Sequence, residues 1–199
     1  KLYYLNKIQE LSSLDGLLAI SQSSLSDASK YLNINKELIY NISSACNNKI
    51  FSSRSSNPRI EKKWLGRFLL YSGATDPRKN LFRLIEAYSL LPINLIFKHK
   101  LVLTGPYTEE EIILIKEWMI NFGLPPEYVV FLGFVTDSEL ADLYRNCQLF
   151  IFPSLYEGFG LPILEAMNCG APVIASNLTS LPEIICDQRS LFDPYDARD

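Results

Sequence analysis

The chain opens with Leu2, Leu5, Ile8 and Leu11 at helical spacing, which predicts a short amphipathic segment. The apolar run from Leu17 to Ile20 fits a buried strand. Ser21 to Ser24 then leads into a helix with Leu25, Ala28 and Leu32 on one face, and Leu38 to Ile42 predicts a second short strand. Next the texture changes. Ser52, Ser53, Arg54, Ser55, Ser56, Asn57 and Pro58 cannot build a core, so this stretch reads as a linker.

Beyond it the pattern is regular. Strands are predicted from Phe68 to Tyr71, Leu101 to Thr104, Val129 to Leu132, Leu149 to Phe152 and Val173 to Ala175. Helices are predicted from Asn80 to Leu91, Glu109 to Phe122, Ser138 to Arg145 and Pro162 to Cys169, with a short one from Leu181 to Ile185. Thr108 with Glu111, and Thr136 with Glu139, place a hydroxyl three residues before a carboxylate at two of the helix starts. Short apolar strands alternating with amphipathic helices imply crossover units and an α/β class: a Rossmann-like parallel sheet with helices on both faces. Ligands of such sheets sit beyond the carboxyl ends of the strands, so the loops leaving each strand carry the chemistry.

Composition narrows the class without naming it. The 199 residues are 48% hydrophobic and 21% charged, ordinary for a globular chain, and no apolar run approaches a membrane-spanning length. No charged-apolar-small leader pattern follows Lys1, so a cytoplasmic location is expected. With 19 basic against 22 acidic residues the net charge is −3, which argues against nucleic acid as a partner. Cys46, Cys147, Cys169 and Cys186 have no metal-ligand spacing; they read as buried thiols of a reducing compartment, and no metal site is expected.

Four strand-end loops stand out. In Gly73-Ala74-Thr75-Asp76-Pro77-Arg78-Lys79-Asn80, Asp76 suits an N-cap and Pro77 a first helical position. Arg78 and Lys79 would then lie in the first turn, where the dipole disfavours cations. Either an anion binds there or the two form a solvated basic pair, and this loop alone favours neither. Thr104-Gly105-Pro106 and Leu132-Gly133-Phe134-Val135 follow strands and taken singly are ordinary turns. The fourth loop runs from Pro153 to Glu165 and carries Glu157, Gly158, Phe159, Gly160 and Leu161. It resembles a dinucleotide fingerprint, but the third glycine position is Ile163 and the next strand ends in Ser176-Asn177 without an acidic residue. Nicotinamide and flavin cofactors are therefore disfavoured. Free amides from Gly158 to Leu161 would face an anion or hydroxyl at the helix start. Glu165, near the same positive end, suits hydroxyl groups better than phosphate, unless both glutamates are solvated caps.

From Phe150 to Glu165, two glutamates with seven residues between them enclose Gly-Phe-Gly. This resembles the signature of retaining glycosyltransferases of the GT-B fold, of the glycosyl transferase group 1 or family-4 type. Gly73 to Asn80, Thr104 to Pro106, Phe131 to Val135, Ala166 to Val173, Ser176-Asn177 and Leu181-Pro182-Glu183 fit the same family in order. The resemblance covers Phe68 to Asp199 and reaches more weakly back to Asp15. It implies a carboxy-terminal half that holds a nucleotide sugar. Arg78 and Lys79 would grip the diphosphate and stabilise the leaving group. Glu157 would sit near the donor sugar and Glu165 on the ribose hydroxyls. The backbone of Gly158, Phe159, Gly160 and Leu161 would contact sugar hydroxyls and phosphate. Phe134 would frame the base through its main chain, while Gly73 and Gly105 belong to the donor-binding loops, Gly105 allowing close approach. The family needs no metal or other cofactor, in agreement with the absence of any Asp-x-Asp.

Two departures qualify the resemblance. Many members carry an arginine where this chain has Ala74, and the Pro-Arg-Lys-Asn variant resembles the mannosyltransferase branch, which leans the donor towards GDP-mannose. The only histidine, His99, does not match the family's amino-terminal histidine. The expected organisation is a tail of an amino-terminal acceptor domain over 1–51, a linker over 52–66 and a donor domain over 67–199, cut short at its end. The implied activity is hexose transfer to a saccharide or lipid-linked acceptor in surface polysaccharide synthesis, this chain alone being inactive. Lipid-linked acceptors would bring the whole protein to the inner face of the membrane. The competing expectations are a non-catalytic nucleotide-sugar-binding or scaffolding domain and, less favoured, another GT-B enzyme such as an epimerase or phosphorylase.

Overall fold

A computed structural model of the chain describes residues 8, 10, 11, 14–32, 34–53 and 66–199. The amphipathic segment expected at the start rests on Leu2 and Leu5, outside the described residues, as does the linker from Arg54 to Pro58. Two short strands, Leu17–Ala19 (β1) and Ile39–Asn41 (β2), pair in parallel, with the helix Gln22–Tyr31 (α1) between them. The first was expected to be a buried strand, but only Ala19 is buried and Leu18 is 68% exposed. A two-stranded ribbon with α1 as its crossover covers one face, and among the described residues nothing covers the other.

The main sheet has six parallel strands: Arg67–Ser72 (β3), His99–Thr104 (β4), Val129–Gly133 (β5), Leu149–Phe152 (β6), Val173–Ser176 (β7) and Leu191–Phe192 (β8). Their order is β5-β4-β3-β6-β7-β8. The helices are Leu81–Ser89 (α2), Ile93–Ile96 (α3), Glu109–Asn121 (α4), Asp137–Asn146 (α5), Leu161–Asn168 (α6) and Leu181–Ile184 (α7). Both expected capping boxes form, at Thr108 and Thr136.

Alternation along each central strand explains the two layers. Leu70 of β3, Val102 of β4, and Phe150 and Phe152 of β6 pack with α5, α6 and α7. Tyr71, Leu101, Leu103 and Ile151 pack with α2, α3 and α4 on the opposite face. Winding proceeds outward from β3 to β5, then returns across the sheet to β6 and continues to β8. Right-handed crossovers travelling in opposite directions must lie on opposite faces. The reversal falls between β3 and β6, and in sheets wound this way ligands sit at that point, outside the carboxyl ends of the strands.

The segment before the sheet is joined to it. Phe51 is buried in the same core as Tyr144 and Phe150, and Arg145 donates to the carbonyls of Ile50 and Ser52. The thiol expectation holds only partly, because Cys147 and Cys169 are buried while Cys186 is exposed and Cys46 half-buried. Burial pushes the Cys147 thiol up to about 12 and that of Cys169 to about 11, so both stay protonated. His99 is the first residue of β4 rather than a free linker residue, and its Nδ1 lies 3.1 Å from the Leu95 carbonyl.

Candidate active site

The loop after β3 does not run straight into its helix. Pro77–Lys79 forms a separate tight turn, capped by Asp76, whose carboxylate accepts from the Arg78 amide. Asn80 then adopts a left-handed conformation (φ 58°) before α2 begins at Leu81. Arg78 and Lys79 therefore lie outside α2, and the dipole of a long helix does not bear on them as the sequence suggests. Asn80 does the work of a junction instead: its side-chain amide donates to the carbonyls of Pro153 and Pro194. The Leu155 amide donates to the Arg78 carbonyl at 2.7 Å, tying the β3 loop to the β6 loop.

The two cations part company. Arg78 lies back on Asp76 through Nε and Nη2 at 2.7 to 3.2 Å, its side chain 60% exposed. Those bonds hold the Asp76 carboxyl below its usual range. Lys79 turns towards the β6 loop and its Nζ lies 2.6 Å from Glu157 Oε1, with Phe152 at 5.3 Å to the ring centre. Lys79 and Glu157 are 78 residues apart in sequence, and both are mostly buried. Charged partners held in this way form a charge-assisted hydrogen bond, about twice as strong as a neutral one.

The glycine loop following β6 has a definite polarity. Ser180 Oγ donates to the carbonyls of Glu157 and Phe159, and Ser24 Oγ donates to that of Gly158. The Glu157 amide donates to Thr179 Oγ1, and Thr179 itself has positive φ (54°), a costly conformation for a β-branched residue. The amides of Gly158, Phe159, Gly160 and Leu161 donate to no protein acceptor among the described residues. Gly160 takes φ 110°, and a Cβ there would lie 2.8 Å from Leu181 Cδ2. The loop thus has its carbonyls fastened and four amides spare at the start of α6, directly after Glu157, the partner of Lys79.

The remaining expected residues line the same edge of the sheet. Gly73 follows β3 beneath Tyr71, whose hydroxyl donates to the Ala74 carbonyl. Gly105 follows β4 so close to the Gly73 carbonyl that a Cβ would lie 2.0 Å from that oxygen. Phe134, in the loop after β5, is 81% exposed. Glu165 lies one turn into α6, half-buried, and no side-chain partner satisfies it among the described residues. Burial, with the nearby Asp137 charge adding to it, raises its carboxyl above the usual range. Three buried hydroxyls lack a hydrogen-bond partner among the described residues: those of Ser154 and Tyr107, in loops leaving strand ends, and that of Tyr144 on α5. Sequence reasoning passed over Ser154, Thr179, Ser180 and Asn80. Only positions beside Gly-Phe-Gly and Leu-Pro-Glu could have drawn attention to Ser154, Thr179 and Ser180, whereas Asn80 ends the Pro-Arg-Lys-Asn run, where the sequence gives it no role.

No helix among the described residues is long and apolar enough to cross a membrane, and no group of three potential metal ligands occurs among them. Comparison with known proteins gives this edge a context. Residues 53–199 match the family model described as glycosyl transferases group 1. The serotype-specific mannosyltransferase WbdA of Escherichia coli is 40% identical over 202 aligned residues, 99% of this chain but 25% of that protein. O-antigen chain mannosyltransferase B of Escherichia coli is 37% identical over 95% of this chain and 50% of its own length. This chain thus spans a quarter to a half of these curated relatives. Among solved structures, Anabaena Alr3699/HepE in complex with UDP and glucose superposes with a TM-score of 0.82 at 23% identity, over 100% of this chain and 55% of that one, and shares the fold. The sucrose-phosphate synthase of Thermosynechococcus elongatus superposes with a TM-score of 0.80 at 25% identity, over 97% of this chain and 49% of its own. With the family model matched from the edge of the serine-rich stretch to Asp199, this chain belongs to the glycosyl transferases of group 1.

Proposed function

We propose that the protein transfers a mannosyl group from a nucleotide-diphosphate sugar, GDP-mannose by preference, to a saccharide or lipid-linked acceptor in surface polysaccharide synthesis. The single observation that carries this is the glycine loop, with four spare amides at a helix start following Glu157, which holds the Lys79 ammonium. Such a surface suits the oxygens of a diphosphate. The mannosyltransferase relatives support the choice of sugar.

In this reading the anomeric C–O bond breaks and its electron pair leaves with the nucleoside diphosphate. Lys79, Arg78 and the loop amides take up the developing negative charge, so the step needs no metal. The acceptor hydroxyl attacks from the same face and passes its proton to the departing phosphate, which retains the anomeric configuration. Glu157 meets the donor sugar and holds Lys79 in place. Glu165 accepts from the ribose hydroxyls, while the Phe134 main chain, Gly73 and Gly105 frame the base side. The acceptor site belongs to the protein outside this chain, which therefore does not catalyse alone. Membrane contact at the inner face is assigned to that part as well.

Calorimetric titration with GDP, UDP and dTDP tests the donor site. GDP is expected to bind most tightly, and failure of all three at millimolar concentration in a folded sample overturns the reading.

Glu165 gives a second test. Ribose hydroxyls donate to an ionised carboxylate, so nucleotide affinity should fall as pH drops through the raised Glu165 value. Glu165→Gln should weaken binding about tenfold to a hundredfold, the loss expected of a hydrogen bond to a charged group, and remove that pH dependence. The raised value also means that ionised Glu165 costs the folded state. The cost grows as pH rises from the ordinary carboxylate range through the raised one. Glu165→Gln should therefore unfold at a higher temperature than the parent at neutral pH, with the gap closing in acid. A thermal melt series across pH checks the sign.

A further inference from the structure

We propose that Glu183 is a positioning residue for sugar transfer, acting through α1 on the glycine loop. The inference rests on the function proposed above. Glu183 follows Leu181-Pro182 on α7, and its carboxylate accepts from the Gln22 amide at Oε2 and the Ser23 amide at Oε1, both at 2.7 Å. These are the first two amides of α1, which have no acceptor within the helix. Ser21 supplies the ordinary cap by accepting from the Ser24 amide, so Glu183 adds a second, bidentate cap from a residue 161 positions away. Charge and dipole agree there, since a carboxylate at a helix start is stabilising.

The contact aims α1 at the loop. Ser24, on its first turn, donates to the Gly158 carbonyl at 3.1 Å, and the Ile20 side chain ahead of it packs against Gly158. One turn on, Asp27 accepts from the Tyr156 hydroxyl. On the other side Ser180, one residue before α7, holds the Glu157 and Phe159 carbonyls. The loop carrying Glu157 is thus fixed from two elements, and Glu183 fastens one element to the other. Glu183 is itself exposed, so the fastening is open to water and reversible. When it releases, the Gly158 carbonyl loses Ser24, and the peptide plane that presents the next amide is free to turn. Because β1, α1 and β2 form a sheet separate from the donor half, the bond couples the position of that unit to the shape of the donor loop.

The test compares Glu183→Gln, Ser24→Ala and the double variant in the intact protein. Glutamine keeps the size of glutamate but replaces one carboxylate oxygen by an NH2 group that faces an amide donor, so the charged, one-oxygen-per-amide cap is lost. Hydrogen exchange at the Gln22–Leu25 amides should accelerate about tenfold in Glu183→Gln, with the β4 amides from Leu101 to Leu103 unchanged. The transfer kcat should fall about tenfold, and the double variant should be no slower than the slower single one, because both substitutions cut the same connection. Unchanged exchange in the first turn of α1 overturns the docking. Faster exchange with unaltered kcat, or rate losses that multiply in the double variant, overturns the positioning role. Absence of transfer by the parent protein removes the proposed function and the positioning role with it, while the exchange result still decides whether Glu183 holds α1.

Discussion

Replacing Lys79 by methionine should lower the rate of sugar transfer by about 10²–10³-fold, the loss typical when one preorganised donor to a developing negative charge is removed. The substitution has a second effect that must be separated from the first. Glu157 is 16% exposed and its ammonium partner would be gone, leaving a mostly buried carboxylate uncompensated. Lys79→Met alone should therefore melt at a lower temperature than the parent. Adding Glu157→Gln removes the stranded charge, so the double variant should recover most of that stability without recovering transfer. A double variant as active as the parent would show that the pair serves the fold only. Arginine at position 79 should not restore full activity, since its planar fork cannot occupy the site of a compact ammonium 2.6 Å from Glu157 and stacked on Phe152.

The second large effect is structural. Gly105→Ala would place a methyl carbon 2.0 Å from the Gly73 carbonyl oxygen, a backbone atom that cannot swing aside. The loops after β3 and β4 would have to separate. That would break the bonds from the Gly73 amide to the Thr104 carbonyl and from the Gly105 amide to the Gly133 carbonyl, both about 3 Å long. Destabilisation of about 4 kcal/mol or more is expected, in the rare upper tail for a single substitution. Chemical denaturation reads it directly, and a loss below about 1 kcal/mol would mean the loops are less tightly apposed than described. Gly123→Ala is a useful contrast. A Cβ there meets nothing within 4 Å, so only its positive φ opposes the change.

Much of the sheet was legible in the sequence because its strands are apolar and sit between helices with clear periodicity. The strands from β3 to β7 and the helices α2, α4, α5 and α6 lie where the pattern puts them, within the usual drift of boundaries. What escaped notice was too short or too local to have a period. β8 is two residues long, and α3 is a single turn. The left-handed Asn80 separates Pro77–Lys79 from α2, whereas Asp76 as an N-cap with Pro77 at a first helical position suggests that Arg78 and Lys79 begin that helix. Tertiary bonds decide that break, since the Asn80 amide is taken up by Pro153 and Pro194.

The candidate site shows the same division. Glycine and glutamate positions could be singled out because a parallel sheet concentrates chemistry in its strand-end loops. Which side chains would meet could not be read. Arg78 and Lys79 are adjacent in sequence, yet one folds back on Asp76 while the other reaches Glu157. The spare amides of the glycine loop depend on Ser24, Thr179 and Ser180, each an ordinary hydroxyl residue whose role exists only in three dimensions.

The pairing of Lys79 with Glu157 and of Arg78 with Asp76 means that the strand-end loops bring their own counter-ions. An anion entering there exchanges partners with carboxylates already in place and does not fill an empty positive field. Such exchange releases few ions to solvent, so affinity should depend less on salt than two unpaired cations would make it. In the proposed reading it also makes the site selective, because a lone phosphate gains too little to displace a bond of 2.6 Å, whereas a ligand that reaches Lys79 and the loop amides together can.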